Sequence, residues 1–402
     1  MRSRSYPWPR EDTGPDPLGN LRDMRGDRQT RDELDILILG PVPPPFGGVS
    51  VHLSRLVPFL IDAGFSVGVL NHFSSTEMPF VVGTLKRNPL NYFRLPRKFR
   101  ARIVHYHHLR WLYLLAVALG KGSSNARYML TLHAGDLHNH FPQLISRMPL
   151  VSRITHWALR RFDTVIVVDP KIASIMQRHL DDRRVELIPA FLESGHGEAE
   201  RYDASVESFL SSGRVLVLAA FGVKFLRDGR EIYGLDTAVE AFVNLAGERE
   251  DLRLALFLAR QPLRPKARRH LARLERRMDR AGVRERVLIA FGLPLAPALR
   301  SNAVFLRPTR AEGDALSIRE ALQAGVPVVA SDMIRRPDGV VLFPAGDVAE
   351  LCVAVNSVLD DSTHRSRQGV GSNTHDTAGD SFSEKLTRLY RRELALSPRV
   401  RR

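Results

Sequence analysis

The apolar residues of this chain fall into short runs, and each run is followed by a polar loop and then by an amphipathic segment. The first run is LDILILG at residues 34–40, and beyond the loop at 41–48 apolar residues recur at helical spacing from about Val49 to Ala63. A nearly uninterrupted apolar run is typical of a strand in a parallel sheet whose two faces are both covered. The alternation of such runs with helical segments predicts an α/β fold.

The same alternation continues through two stretches of the chain, with a polar interruption between them. The strands predicted after the first are 65–71, 102–108, 128–136, 163–170 and 185–189, and then 214–222, 252–259, 287–292, 303–309 and 327–332. Residues 193–212 lack the pattern and are predicted to be a linker. We therefore predict two doubly wound, Rossmann-like domains at 34–192 and 213–378 that face a cleft, with a disordered basic lead at 1–33 and a final helix and basic tail at 379–402.

Composition and charge narrow the class of protein. The 59 Lys and Arg residues exceed the 44 Asp and Glu residues, which gives a formal charge of +15. This charge favours polyanionic ligands or surfaces, although an arginine-rich proteome would give the same value. Cys352 is the one cysteine, which excludes an intrachain disulfide and a thiolate metal site. No run reaches the roughly 18 apolar residues of a membrane-spanning helix, and we expect a cytoplasmic protein.

Ligands of doubly wound sheets bind beyond the carboxyl ends of the strands, so the residues just after each strand are the candidates for function. Gly47 and Gly48 follow the first strand, where they either let backbone N–H groups approach a phosphate or sugar or simply form a tight turn. His133 ends a later strand, where its ring can donate to a sugar hydroxyl or to a carbonyl of its own loop. The cluster of His105, His107 and His108 has the period-two spacing of metal ligands, but no carboxylate stands close in sequence, and no metal site is predicted.

A basic cluster follows the first strand of the second predicted domain. Lys224, Arg227 and Arg230 lie just past residues 214–222, where a diphosphate would be bound by their positive charges. The alternative is a solvated basic loop.

Two glutamates flank the start of a predicted helix after the strand at 303–309. Asp314, Ala315, Leu316 and Ser317 enter this helix, whose first N–H groups and dipole form an anion site. Glu320, one turn further, can accept hydrogen bonds from two ribose hydroxyls, while Glu312 lies in the turn before the helix. Ser317 and Glu320 also match a capping box that needs no ligand, and both interpretations can hold together.

The two glutamates carry a resemblance to a known family. Glu312 and Glu320 form an E-x7-E pattern followed by ALQAGVPVVASD, and the PFGGV loop at 45–49 and the TLHAGD segment at 131–136 stand in the expected order. Over about residues 34–395 the chain resembles the retaining glycosyltransferases of family four (glycosyl transferases group 1), which have the two-domain GT-B fold. The resemblance implies transfer of a sugar from a nucleotide-diphosphate donor with retained configuration and without a cofactor or an essential metal. It also implies that the final helix crosses back to the N-terminal domain.

The resemblance assigns a role to each candidate residue. Glu320 would hold the ribose and Glu312 the donor sugar, while His133 would contact the sugar near the reacting carbon. Backbone groups of residues 315–317 would bind the phosphates, and Gly47 and Gly48 would approach the donor.

The chain departs from the family pattern at two places. Asp314 stands where the family has an aromatic residue, and Val223 and Tyr233 stand where the family has its phosphate-binding Arg and Lys, so that Lys224 and Arg230 are the substitutes we predict. These departures keep two alternatives open, namely a catalytically inactive GT-B partner subunit and a nucleotide-sugar epimerase of the same architecture.

The acceptor side is predicted from two segments of the first domain. Residues 94–102 and 144–162 mix arginines with bulky apolar side chains, which is typical of a surface that rests on an anionic membrane. The predicted acceptor is therefore a glycan or a lipid-linked sugar, in polysaccharide or glycoconjugate biosynthesis at the inner face of the membrane. Aromatic–basic interleaving of the RNA-binding type is absent, so no nucleic-acid partner is predicted.

Overall fold

A computed structural model describes residues 33–72, 78–85, 88–107, 111–133, 149–168, 170–181, 184–189, 201–226, 228–312, 315–360 and 382–397, without the side chains at 96, 97, 111 and 171. Arg227 and Asp314 lie outside these residues, as do the predicted tail from 398 and the predicted lead except for its last residue.

The first domain is a parallel sheet of seven strands in the order β3-β2-β1-β4-β5-β6-β7. Its strands are β1 (Leu34–Gly40), β2 (Val67–Asn71), β3 (Val81–Thr84), β4 (Ala101–Tyr106), β5 (Arg127–Leu132), β6 (Thr164–Val167) and β7 (Val185–Leu187). Its helices are α1 (Gly48–Asp62), α2 (Pro89–Phe93), α3 (Leu95–Lys98), α4 (Trp111–Gly120), α5 (Pro149–Arg160) and α6 (Pro170–Gln177).

The second domain is a parallel sheet of six strands in the order β10-β9-β8-β11-β12-β13. Its strands are β8 (Arg214–Ala220), β9 (Leu252–Leu258), β10 (Val287–Phe291), β11 (Ala303–Arg307), β12 (Val328–Ser331) and β13 (Val340–Phe343). Its helices are α7 (Ala204–Ser211), α8 (Leu235–Ala246), α9 (Pro265–Arg280), α10 (Leu316–Gln323) and α11 (Val348–Asp360), and the chain continues to α12 (Phe382–Leu396). The two sheets confirm the predicted doubly wound α/β fold.

Burial explains why the strands read as continuous apolar runs. In β1, Leu37 and Leu39 pack in the core on one face of the sheet, and Ile36 and Ile38 pack in the core on the other face. Both faces are covered, so successive side chains of the strand are all withdrawn from water. The hydrophobic effect therefore favours apolar residues from Ile36 to Leu39, whereas Asp35 at the half-buried start of the strand pairs with Arg102.

The final helix packs on the first domain, as the resemblance implied. Tyr390 of α12 is fully buried in the core that also holds Ile36 and Leu53, and α12 lies against β4 and β5. The chain thus leaves the second domain and returns to the first. Among the described residues no helix combines the length and the apolar character needed to cross a bilayer.

The predicted linker is wrong over its second half. Residues 204–211 form α7, with Asp203 as the N-cap accepting hydrogen bonds from the backbone N–H groups of Ser205 and Val206. Val206 and Leu210 are buried in the core of the second domain. This segment is rich in serine and acidic residues, and its two-turn helix has only one narrow apolar stripe. The composition therefore indicated a linker.

The strand orders place the candidate residues together. In each sheet the order reverses beside the first strand of the domain, between β1 and β4 and between β8 and β11. These topological switch points are where doubly wound sheets open a crevice for ligands. The loops that leave β1, β8 and β11 all start at such a point.

Candidate active site

The glycine loop of the first domain contacts the second domain. Gly47 is the N-cap of α1, and a Cβ added to it would lie 2.5 Å from the Cδ2 atom of Phe221, which follows β8. Any side chain at Gly47 would collide with that ring, so glycine is required for the two domains to meet here. A Cβ added to Gly48 would meet no atom within 4 Å, which leaves room for a ligand against the backbone.

Two cations flank Phe221 at this junction. Lys224 Nζ lies 4.9 Å from the centre of the Phe221 ring, and the guanidinium carbon of Arg260 lies 4.3 Å from it. Lys224 is thus near the cleft, as predicted for a phosphate-binding residue, and Arg260, which follows β9, joins it. The sequence did not indicate Arg260, because it lies on a different loop from the predicted basic cluster that contains Lys224.

Arg230 forms an ion pair within its own loop, and its role in phosphate binding stays a prediction. Its side chain is 64% exposed and forms an ion pair with Asp228 at 2.7 Å. Arg230 also donates its backbone N–H to the Asp228 carboxylate at 3.0 Å. Because residue 228 lies only two positions earlier, the pair closes the turn locally.

Glu312 lies in a buried cluster with two arginines. Its carboxylate accepts hydrogen bonds from Arg307 Nε at 2.6 Å and from Arg336 Nη1 at 2.6 Å, and its side chain is only 5% exposed. Arg307 also donates to the carbonyl of Ala219 at the end of β8, which ties the cluster to the switch point. Arg307 also donates from Nη2 to the same oxygen as its Nε, and Thr309 Oγ1 lies 3.5 Å from the other oxygen. Each carboxylate oxygen can accept two hydrogen bonds, so a sugar hydroxyl would bind Glu312 in place of the long Thr309 contact.

Glu320 forms an ion pair across the cleft. It lies in α10, and its carboxylate accepts a hydrogen bond from Arg55 of α1 in the first domain. Burial raises the pKa of Glu320, and the charge and hydrogen bond of Arg55 oppose that shift. The sequence did not indicate Arg55, whose partner is 265 residues away along the chain.

The capping-box interpretation of Ser317 and Glu320 is wrong. The N-cap of α10 is Ala315, which makes no side-chain capping bond, and Leu316 is the first helical residue. Ser317 is therefore inside the helix and the Glu320 side chain is bonded to Arg55 instead. The N-terminus of α10 is left to its backbone N–H groups, which point out of the first turn toward the switch point.

Histidines cluster beside this cleft. His133 follows β5, and its Nε2 atom lies 3.0 Å from Nδ1 of His107, which follows β4. His52 of α1 completes the group, with its ring centre 4.9 Å from that of His133. Burial lowers the pKa of His107 well below its usual value and that of His105 to about 3, so both rings are neutral. His52 was missed because it lies within the apolar stripe of α1, where a histidine reads as a core residue.

Two family models together match most of the chain. The one described as "Glycosyltransferase Family 4" matches residues 46–193, and the one described as "Glycosyl transferases group 1" matches residues 211–361. Their border falls just before β8, where the second sheet begins.

A curated relative and two solved structures agree with this match. The chain is 26% identical to a 2-deoxystreptamine glucosyltransferase of Streptomyces kanamyceticus over 283 residues, or 67% of this chain and 70% of that protein. Sucrose-phosphate synthase of Thermosynechococcus elongatus has a TM-score of 0.65 at 19% identity, over 90% of this chain and 100% of that chain. Anabaena Alr3699/HepE in complex with UDP and glucose has a TM-score of 0.61 at 15% identity, over 90% of this chain and 98% of that chain.

The structural likenesses show the fold, and the two family models cover both domains of it. The chain therefore belongs to the family-four type of glycosyltransferases (glycosyl transferases group 1) and has their GT-B fold.

Proposed function

We propose that this glycosyltransferase moves a hexosyl group from a nucleotide-diphosphate sugar to a glycan or lipid-linked acceptor, with retention of configuration. The observation that carries the proposal is the convergence of Glu312, Glu320 and the N-terminus of α10 on one switch point, opposite Gly48 of the other domain. UDP-glucose is the donor to test first, because the relative is a glucosyltransferase and HepE has a structure with UDP and glucose.

Each part of the donor has a matching group in the cleft. The diphosphate would lie at the N-terminus of α10, where backbone N–H groups and the helix dipole favour negative charge. Lys224 and Arg260 would add positive charge as the diphosphate leaves, which is the main electrostatic demand of the reaction. The ribose would bind Glu320, and its hydroxyls would share or replace the Arg55 hydrogen bond.

The sugar itself would lie between Glu312 and His133. Ion pairs with Arg307 and Arg336 fix the Glu312 carboxylate in place, which suits an acceptor of sugar hydroxyl bonds better than a mobile base. In a reaction on one face of the sugar, an oxygen of the departing diphosphate takes the acceptor proton. The proposal therefore needs no general base from these glutamates.

The acceptor side of the proposal is supported by an exposed apolar surface of the first domain. Helix α4 packs against both α2 and α5, so the three helices lie next to one another. Their exposed large apolar side chains are Leu90, Phe93, Leu112, Leu119, Leu150 and Trp157. Exposed basic residues accompany them at 94, 153 and 160. We propose that this surface, called here the helical face, rests on an anionic membrane that carries the acceptor.

A panel of nucleotide sugars tests the donor assignment. A donor that binds only the folded protein raises its stability by about 2.7 kcal/mol at a hundredfold excess over the dissociation constant, and the melting temperature rises accordingly. UDP-glucose is expected to raise the melting temperature of the wild type and to have a much smaller effect on Glu320→Gln. No response to any nucleotide sugar would contradict the proposal.

The arginine partners of both glutamates favour a second candidate function, a catalytically inactive GT-B partner subunit. In such a subunit the Glu312 and Glu320 ion pairs would be permanent structural links. The same panel separates the two candidates when nucleoside diphosphate release is measured beside it. Binding without release of nucleoside diphosphate, with glycan and lipid-linked acceptors present, would favour the inactive subunit.

A further inference from the structure

Three histidine side chains converge in the first domain at the wall of the cleft. His52, His107 and His133 each offer a ring nitrogen, and these nitrogens all lie within 4.8 Å of one another. They come from three separate elements, since His52 is in α1, His107 follows β4 and His133 follows β5. The arrangement is therefore fixed by the sheet and by one helix, which is more precise than a site on a single loop.

The spacing of the nitrogens is close to that of a zinc site. Nitrogens bound tetrahedrally to one Zn²⁺ at about 2.0–2.1 Å are separated by roughly 3.3 Å. His107 Nδ1 and His133 Nε2 are 3.0 Å apart, so small rotations of the rings bring both to a common ion. His52 and His107 are buried and His133 is partly exposed, so the fourth position opens toward the solvent side, where His133 lies.

The hydrogen bonds behind the cluster select the ligating form of His107. Among the described residues, Tyr390 Oη has only His105 Nδ1 as a hydrogen-bond partner, at 2.6 Å, and donates its proton there. His105 then carries its own proton on Nε2, 2.8 Å from Thr131 Oγ1. His107 Nε2 lies 3.2 Å from the same His105 Nδ1, whose one lone pair already accepts the shorter Tyr390 bond. A proton on His107 Nε2 would share that acceptor as a second, weaker donor, and the lone pair of His107 Nδ1 would then face His133.

Such an arrangement is the one that metal-binding histidines use. A ligating histidine donates its other N–H to a second group, which fixes its tautomer and orientation. We propose that His52, His107 and His133 bind one divalent transition-metal ion of the zinc class, with water or a ligand in the fourth position.

Binding of Co²⁺ to the full-length protein tests the site directly. The chelator-treated protein is titrated with Co²⁺, whose visible absorption reports three nitrogen ligands in a four- or five-coordinate site, and then with Zn²⁺, which displaces it. We expect one ion per chain. Loss of a ligand in His133→Asn or in His52→Asn should weaken binding by at least roughly 100-fold, and Tyr390→Phe, which removes the outer hydrogen bond, by about 10-fold.

His156→Asn is the matched control. His156 and His179 have ring centres 4.5 Å apart on the same domain, and within the part of the chain that the structure describes they belong to no group of three potential metal ligands. This variant should therefore bind Co²⁺ as the wild type does. Circular dichroism and melting curves establish that each variant is folded, and His133 is the first choice because it is only partly buried. Wild-type binding no tighter than that of folded His133→Asn, or no stoichiometric binding, would overturn the proposal.

The outcome does not depend on the proposed sugar transfer. The probe is the metal alone and the readout is an absorption spectrum, so a protein that rejects every nucleotide sugar can still bind Co²⁺. Conversely, a protein without the metal can still transfer a sugar through Glu312 and Glu320.

Discussion

At the residue scale, substitution of Gly48 should affect donor binding without lowering the stability of the fold. Its added methyl group meets no atom within 4 Å in this structure, and alanine is favoured over glycine in a helix by about 0.5–1 kcal/mol. We predict that Gly48→Ala leaves the free energy of unfolding unchanged or slightly higher. The methyl group would stand between the backbone and the donor, so KM for UDP-glucose should rise about tenfold, equivalent to 1.4 kcal/mol.

Gly247→Ala is the matched control for this prediction. Gly247 has a φ of −66° at the end of α8, and its added methyl group would make only ordinary contacts, the nearest at 3.6 Å. Steady-state kinetics of both variants provide the comparison. A KM for Gly48→Ala equal to that of Gly247→Ala would show that the donor does not approach this loop.

Glu231 predicts how stability depends on pH. Its side chain is buried beside the start of α8, where it accepts the backbone N–H of Tyr233 and of Leu235, and burial raises its pKa to about 7 from the model-peptide value of 4.5. The folded protein therefore holds this proton to higher pH than the unfolded chain. The free energy of unfolding must fall as pH rises from about 4.5 to about 7, by up to roughly 3 kcal/mol.

The amide of Glu231→Gln does not titrate, so the stability of this variant lacks the pH dependence that Glu231 contributes. Urea unfolding of both proteins below pH 4.5 and above pH 7 measures the effect. The stability of Glu231→Gln relative to the wild type should increase across this window. Parallel pH profiles would contradict the account of Glu231.

Sequence reasoning at the residue scale found the positions that lie directly after strands. Glu312, Glu320 and His133 were predicted in this way. Glu312 follows β11 at a switch point, Glu320 lies in the helix after it, and His133 follows β5; their roles remain predictions. The arginines at 55, 260, 307 and 336 were missed, because a chain with 59 Lys and Arg residues offers no local signal of which ones lie near the cleft. Asp314, which departs from the family pattern, lies outside the described residues.

At the element scale, the long apolar runs identified the central strands, while short strands at the sheet edges escaped notice. β3 and β13 have four residues each and are only half-buried for most of their length. Both are at the edge of a sheet, where one side has no neighbour and the continuous apolar run is not required. The final helix was predicted from its apolar face, but its docking residues became visible only in the structure.

Glu393 holds the final helix on the first domain. It is fully buried and accepts hydrogen bonds from Arg127 Nε at 2.9 Å and from Thr164 Oγ1 at 2.8 Å. Glu393→Ala would leave both donors without this acceptor, and removing one partner of a buried pair costs about 3–5 kcal/mol. We predict a loss of that size in the free energy of unfolding.

Glu384→Ala is the control on the same helix, because Glu384 is exposed. Surface substitutions usually change stability by less than about 0.5 kcal/mol. Denaturant unfolding of the two variants distinguishes the cases. Equal stability of Glu393→Ala and Glu384→Ala would contradict the proposed role of Glu393.

At the scale of the whole molecule, the two domains face each other across a cleft and are in direct contact at its edge. The Arg55–Glu320 ion pair and the contact of Gly47 with Phe221 join the glycine loop and α1 to the second domain. The fold class was predictable because each domain repeats one local unit. The contacts between the domains were not predictable from local patterns, since they join residues that are hundreds of positions apart.

The helical face of the first domain is predicted to orient the whole molecule on an anionic membrane. Leu150 is 70% exposed on α5, and its replacement by aspartate adds a charge that an anionic membrane repels. Wild-type protein should sediment with vesicles containing anionic lipid at low salt, and Leu150→Asp should sediment much less. Leu263→Asp is the control, because Leu263 is 72% exposed in the second domain, away from this face. Equal sedimentation of the two variants would contradict the membrane orientation.

The most direct test of the central claim is release of UDP from UDP-glucose, measured with the full-length protein in the presence of glycan and lipid-linked acceptors. The account predicts steady release by the wild type and by Glu350→Gln, whose exposed carboxylate is on α11 and is none of the proposed donor-binding groups. It predicts loss of release in folded Glu320→Gln, because that variant lacks the carboxylate proposed to hold the ribose. Equal release by Glu320→Gln and Glu350→Gln would contradict the claim that the nucleotide sugar binds at the α10 switch point.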